Sequence, residues 1–279
     1  MLLVTGANGQ LGTELKNRIS SNAVFTDVQD LDITNASIVK EFVHDNNIDT
    51  IINCAAYTNV DAAEYDIETA TKVNVDGPRN LALTGAQLVH ISTDYVFDGH
   101  GFRPYHPYDT PNPISVYGQT KLAGEQAIVK HADGGLIIRT AWLYSPYGNN
   151  FVKTMRRLGA ERDSITVVTD QVGSPTYAGD LADAIVKILP QMHWNGTRVY
   201  HYTNAGVCSW YDFAYKIMEL SGLKCMVNPI PSFAYPTRAV RPFYSVLSKD
   251  EIVSGFDIKL RHWEDALREC IAKLNSTTK

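Results

Sequence analysis

The segment Leu2-Leu3-Val4-Thr5-Gly6-Ala7-Asn8-Gly9-Gln10-Leu11-Gly12 decides the fold. It opens with an apolar β-type run over residues 2–5. It closes on a helical pattern over 10–19, with Leu11, Leu15 and Ile19 on one stripe. Between them stand glycines at GxxGxxG spacing. Gly6 permits a tight turn, Gly9 lets a pyrophosphate approach the backbone, and Gly12 lets the helix pack closely on the strand. Across Gly6, Asn8, Gly9, Gln10, Leu11 and Gly12, free N–H groups and the helix dipole then face an anion. A strand before and a helix after are the context this dinucleotide-binding motif requires.

Outward from that turn the alternation continues. Strands are expected at 24–27, 50–54, 88–92 and 136–139, and helices at 36–46, 73–83 and 117–130. The helix at 36–46 is expected to bury Ile38 and Phe42. A loop rich in Pro and Gly spans 98–113. Such alternation specifies βαβ units, hence an α/β, Rossmann-type doubly wound parallel sheet. Beyond about Thr140 the pattern loosens. Helices are read at 151–159 and 180–189 and strands at 165–168 and 199–202. Ser209 with Asp212 resembles a capping box opening a helix to Leu220, and Ser248 with Glu251 a second box. The expected division is a cofactor domain over 1–145, with strands and helices returning from about 163–203. A smaller, partly interleaved substrate lobe takes 146–279, and residues 276–279 read as a frayed tail.

Lys plus Arg is 25 and Asp plus Glu is 30, a net charge of −5, which argues against broad phosphate-backbone contact with nucleic acid. The composition, 44% hydrophobic and 20% charged, excludes wholesale disorder. Four cysteines without CxxC spacing and eight histidines without HxxxH spacing argue against a zinc site or disulfide framework. Scattered thiols suit a reducing cytosol, and no apolar run reaches the roughly 18–20 residues of a membrane span. A cytoplasmic protein is the expectation, with neither nucleic acid nor membrane as partner.

Asp27, at the end of the second strand, is placed to accept hydrogen bonds from an adenosine ribose and to repel a 2′-phosphate. No Arg or Lys lies between Val24 and Leu31, so the residues lean toward NADH, with NADPH use left open. Asp32-Ile33 is placed near the adenine, or Asp32 starts a turn. Tyr117 and Lys121 stand at i and i+4 on one helix, which puts phenol and ammonium on one face. A nearby ammonium is expected to lower the phenol's pKa, normally near 10, so that Tyr117 donates a proton to a carbonyl oxygen. YxxxK alone is common on surface helices; its weight here comes from the glycine turn. Thr93, past the fourth strand, would hydrogen-bond that carbonyl, with Ser92 the competing hydroxyl.

These residues together resemble the extended short-chain dehydrogenase/reductase family, over essentially the whole chain. Further segments carry the likeness: Asn53-Cys54-Ala55-Ala56-Tyr57-Thr58 with Val60-Asp61, Ser92 to Gly99, Arg139 to Tyr144, Gly148 to Phe151, Asp170 to Thr176, and Arg241-Pro242 with Ser245-Val246-Leu247. The last two are more specific to the branch that reduces a 4-keto sugar on dTDP. The resemblance implies a catalytic triad of Thr93, Tyr117 and Lys121. It implies Ala55, Ala56, Tyr57 and Thr58 beside the nicotinamide, and Asp94, Tyr95 and Trp142 at the sugar. Lys121 also holds the nicotinamide ribose. Asn149, Asn150, Arg238 and Arg241 become candidates for diphosphate or nucleotide, although a surface salt bridge explains an arginine equally well, and Trp142 also suits a core cap.

The implied reaction takes dTDP-4-dehydro-6-deoxy-L-mannose to dTDP-L-rhamnose with NADH or NADPH. Rivals are a 4-keto reductase of another nucleotide deoxysugar and a non-catalytic cofactor-binding subunit. A dehydratase would carry Thr-Asp-Glu, where this chain has Thr93-Asp94-Tyr95. The family admits a homodimer, and some members hold magnesium at the subunit contact. Glu14 matches one such carboxylate, but Gly179 stands where the second belongs, so no metal is expected.

Overall fold

The computed structural model describes residues 1–277. In the amino-terminal half, strands β1 (Leu2–Thr5), β2 (Ala23–Thr26), β3 (Thr50–Asn53), β4 (Gln87–Thr93) and β5 (Gly134–Thr140) are separated by helices. These are α1 (Gln10–Lys16), α2 (Ala36–Asp45), α3 (Val60–Ala63), α4 (Ile67–Thr71), α5 (Gly77–Ala82) and α6 (Val116–His131). The remainder contributes α7 (Phe151–Glu161), α8 (Ala178–Ile188), α9 (Trp210–Ser221), α10 (Asp250–Phe256) and α11 (Trp263–Thr277). Short strands lie among them: β6 (Leu143–Tyr144), β7 (Ser164–Val168), β8 (Val172–Gly173), β9 (Thr176–Tyr177), β10 (Gly196–His201), β11 (Cys208–Ser209) and β12 (Met226–Ile230).

The main sheet has six strands in the order β10-β5-β4-β3-β1-β2, every pairing parallel. Consecutive residues bury on opposite faces. Leu3, Ile51, Leu88 and Ile137 pack with Val39, Val43 and Leu81 on one side. Val4, Ile52, Val89 and Ile138 pack with Leu11, Leu15 and Ile185 on the other. Cover on both faces is what a parallel sheet needs, and it explains why these strands read as continuous apolar runs. Strand order reverses between β1 and β3, so their carboxyl ends frame the crevice where open α/β sheets bind ligands. A separate cluster gathers Val152, Phe213, Ile217, Val227 and Leu267 from α7, α9, β12 and α11. β7 pairs with β12 beside that cluster, whereas β10 joins the main sheet.

Several local expectations need correction. In α2 the buried pair is Val39 and Val43; Ile38 is 45% exposed and Phe42 only partly covered. The Asn35 side chain accepts the Ile38 N–H at 3.2 Å, so the helix starts there and its i, i+4 valines turn to the sheet. Ser209 and Asp212 do form a reciprocal capping box. Ser248 and Glu251 do not: α10 begins at Asp250, Ser248 donates to the Asp250 carboxylate, and Glu251 meets His106. The expected tail at 276–279 lies partly in α11 and partly outside the described residues. No helix among the described residues is long and apolar enough to cross a membrane.

Candidate active site

Past β1 the chain turns at Gly6 with φ +65°, a left-handed conformation that favours glycine. A Cβ at Gly6 would lie 2.6 Å from the Ala55 nitrogen, and one at Gly12 would lie 2.3 Å from the Gly6 carbonyl oxygen. Both glycines are therefore demanded by sterics. Gly9 caps α1 without a side chain, which leaves first-turn N–H groups open toward the cleft. Asp27 falls one residue past β2; its carboxylate accepts the Asn8 N–H at 3.0 Å and the Val28 N–H at 2.8 Å. Asp32 starts a turn, accepting both the N–H and the hydroxyl of Thr34 at 2.9 and 2.8 Å. Ile33 is buried in the core, its side chain packed close against Gly77.

The turn opens into a cleft of about 480 Å³. Ala56, Thr58, Thr93, Tyr117, Lys121 and Trp142 line its other walls. Ser115 caps α6 by accepting the Gly118 N–H at 3.2 Å, which fixes the turn carrying Tyr117. Tyr117 is buried, edge-on to Tyr95 with ring centroids 5.5 Å apart. Burial pushes its pKa up to about 12, opposed by hydrogen bonding with Thr93 and reinforced by the Asp94 charge. The expected lowering by Lys121 is thus not found. Lys121, 1% exposed, commits its Nζ to the Ile91 carbonyl at 2.7 Å and to His90 Nε2 at 3.1 Å. Burial lowers its own pKa to about 8. Ser92 donates to Glu125 at 2.5 Å, within a buried pair whose other member is Arg139, so Thr93 is the hydroxyl left beside the phenol.

Three positioning residues were not singled out from the sequence. Asn74 sits in a π-helical stretch, Lys72–Asp76, and grips Tyr57 through both backbone groups: N–H to Oδ1 at 2.9 Å, Nδ2–H to carbonyl at 3.0 Å. That pair sets the path of residues 55–58; π-bulges recur at functional sites for such re-aiming. Asn53 and His90, both fully buried, connect β1 to Lys121. No short spacing signals them, because each acts across neighbouring strands.

On the opposite wall Asp94 is 2% exposed, accepts the Thr93 hydroxyl at 3.0 Å and leaves Oδ2 without a partner. Burial raises its pKa to about 6. Trp142 holds φ +49°, a strained value for a bulky residue, and stacks on Trp210 at 3.6 Å. The Trp210 stack therefore covers one of its two faces. Asn149 lines the cleft, whereas Asn150 caps α7 and donates to Gln10, Ser145 and Tyr147. Arg241 forks onto Asp61 at 2.5 and 3.2 Å, and Arg238 lies over the Tyr65 ring. Both arginines thus have partners within the chain, as does Asn150.

The RmlD substrate binding domain family matches residues 1–276. The chain belongs to this family. Among curated relatives, the spore coat polysaccharide biosynthesis protein SpsK of Bacillus subtilis is 40% identical, over 99% of this chain and 98% of the relative. A dTDP-4-dehydrorhamnose reductase structure from Clostridium acetobutylicum superposes with a TM-score of 0.94 at 43% identity, covering 98% of this chain and 99% of the other. One from Bacillus anthracis, in complex with NADP, gives 0.92 at 42% identity and covers 98% of each chain. The residues around Glu14 do not fit a bridging metal. Arg18 already pairs with Glu14 at 2.6 Å, and the guanidinium stands near Gly179, which offers no side-chain ligand.

Proposed function

We propose that the chain reduces the 4-keto group of dTDP-4-dehydro-6-deoxy-L-mannose to give dTDP-L-rhamnose for cell-surface polysaccharide synthesis. The observation that carries this reading is the meeting of Thr93, Tyr117 and Lys121 in the cleft that the glycine turn opens. The nicotinamide cofactor supplies the hydride when bound. Gly6 to Gly12 hold the diphosphate on open N–H groups, with Ala55, Ala56, Tyr57 and Thr58 beside the nicotinamide. Lys121 holds the ribose hydroxyls. Thr93 polarises the substrate carbonyl, and Tyr117 donates its proton to that oxygen. A reductase needs the phenol protonated before hydride arrives, and the burial that raises Tyr117 keeps it so at neutral pH. Asp94, Tyr95 and Trp142 face the sugar.

Asp27 favours an adenosine ribose hydroxyl, so we assign NADH as the better cofactor with NADPH also used. Residues 1–145 with the return to the main sheet form the cofactor domain, and the rest of 146–279 the substrate lobe, in a cytoplasmic enzyme. The test supplies the purified chain with the dTDP-linked keto sugar and each reduced cofactor in turn, following cofactor absorbance and identifying the product sugar. Cofactor binding without oxidation sinks the reductase reading and leaves a non-catalytic binding subunit. Equal turnover of a UDP-linked substrate sinks the thymidine assignment.

A further inference from the structure

A chain of hydrogen bonds runs from β1 across β3 and β4 to α6. Thr5 Oγ1 donates to Asn53 Oδ1 at 2.7 Å, Asn53 Nδ2 lies 3.0 Å from His90 Nδ1, and His90 Nε2 lies 3.1 Å from Lys121 Nζ. The Ala55 backbone N–H, which can only donate, points at Asn53 Oδ1 at 3.1 Å. The Asn53 amide is thereby oriented, and its Nδ2 donates to His90 Nδ1. A neutral imidazole accepting at Nδ1 carries its proton on Nε2. That N–H points at Lys121 Nζ. An ammonium has three donors and no acceptor, so it cannot receive this bond. A neutral amine can: its lone pair accepts from His90 while one of its protons serves the Ile91 carbonyl at 2.7 Å. Asn53 and His90 are 0% exposed and Lys121 1%, so water does not relieve a mismatch.

We propose that His90 is a positioning residue that favours the neutral amine of Lys121 in the cofactor-free chain, so that at alkaline pH engagement of the cofactor ribose draws a proton onto Lys121. This rests on the reading of Lys121 as the ribose-binding residue. Ribose oxygens ask for more donors, and the neighbouring diphosphate favours a positive charge, so binding reverses the preference that His90 and burial impose. The groups facing Lys121 support the assignment. Burial keeps His90 far below its usual range and pushes the Cys54 thiol up to about 12. Tyr117, one turn earlier, is held near 12, and Glu125, one turn later, is paired with Arg139. Among these, Lys121 is the group poised to change charge near pH 8. Above about pH 8 its charge would then arrive with the cofactor, and there the field that lowers the Tyr117 phenol would be present only in the loaded site.

Two readouts test this without turnover. In the cofactor-free protein, nitrogen NMR of His90 is expected to show the proton on Nε2, and carbon-labelled lysine NMR a Lys121 that is neutral at pH 9. A proton on Nδ1, or a charged Lys121 at pH 9, overturns the proposal. Calorimetry of NADH binding in buffers of different ionisation enthalpy is expected to show roughly one proton taken up per chain at pH 9 and close to none at pH 6.5. Binding with no uptake at pH 9 also overturns it, while leaving the cofactor reading intact. Failure of NADH and NADPH to bind overturns the cofactor reading instead, and the cofactor-free measurements still decide the role of His90. His90→Gln, whose amide can turn its oxygen to an ammonium, is expected to move the Lys121 titration upward by roughly one pH unit or more. An unmoved titration in a folded variant counts against His90.

Discussion

At Lys121 a single buried nitrogen links binding, acid–base chemistry and stability. Its pKa in the folded chain, about 8, lies below the unfolded value of 10.5. Between those values the unfolded chain binds the extra proton, so stability rises with pH across that window. The penalty is fully present below pH 8. Relative to Lys121→Met, the cofactor-free wild type should gain about 1.4 kcal/mol per pH unit between pH 8 and 10, read from urea unfolding at matched pH. A flat difference would place the amine in contact with water. The chemistry at this scale was largely legible in the sequence, because glycines at fixed spacing, YxxxK and a hydroxyl after a strand are imposed by local geometry. Asn53, Asn74 and His90 were not, since each acts on a neighbour brought near only by strand or helix pairing. The partner of a charged residue was equally hidden: Arg241 reads equally well as a phosphate ligand or as half of a salt bridge, and only the structure shows Asp61 beside it at 2.5 Å.

Among the elements, α6 carries both Tyr117 and Lys121, and its placement depends on how closely it approaches the π-helical stretch. A Cβ at Gly124 would lie 2.1 Å from the Asn74 carbonyl oxygen, a backbone atom that cannot step aside. Gly124→Ala should therefore destabilise the fold by about 1–3 kcal/mol in urea unfolding. It should also weaken cofactor binding, because displaced Asn74 loosens its grip on Tyr57. Unchanged stability and affinity would mean that the stretch is pliable. Element type followed from apolar periodicity, but facing did not. Residues 38, 39, 42 and 43 are all apolar, so periodicity allows two buried pairs, and the Asn35 cap decides between them. The π-helical stretch leaves no mark in a 3.6-residue pattern, and strands of two residues fall below any periodic signal.

Across the whole molecule, burial of neutral histidines makes the fold sensitive to acid. His201 donates its Nδ1–H to the Tyr105 carbonyl at 3.1 Å, and its Nε2 has no partner. Burial lowers its pKa to about 3. The unfolded chain protonates this histidine below about pH 6.5 and the folded chain does not, so stability is lost as pH falls from there toward 3. His201→Gln should cost stability at pH 7 yet flatten the decline between pH 6.5 and 5 by about 1.4 kcal/mol per pH unit, measured from urea midpoints. The parallel sheet was readable from strand–helix alternation, whereas the strand order that sets its switch point came only with the pairings. The lobe built on α7, α9 and α11 was less so, because its contacts join segments far apart in the chain.

In the proposed reaction Tyr117 delivers a proton to the oxygen of a dTDP-linked 4-keto sugar as hydride reaches its carbon. Single-turnover reduction of dTDP-4-dehydro-6-deoxy-L-mannose, comparing wild type with Tyr117→Phe at saturating cofactor, tests it most directly. The wild type should yield dTDP-L-rhamnose and the variant a rate about 10²–10⁴-fold lower, with cofactor affinity retained. Wild-type turnover in Tyr117→Phe would contradict it.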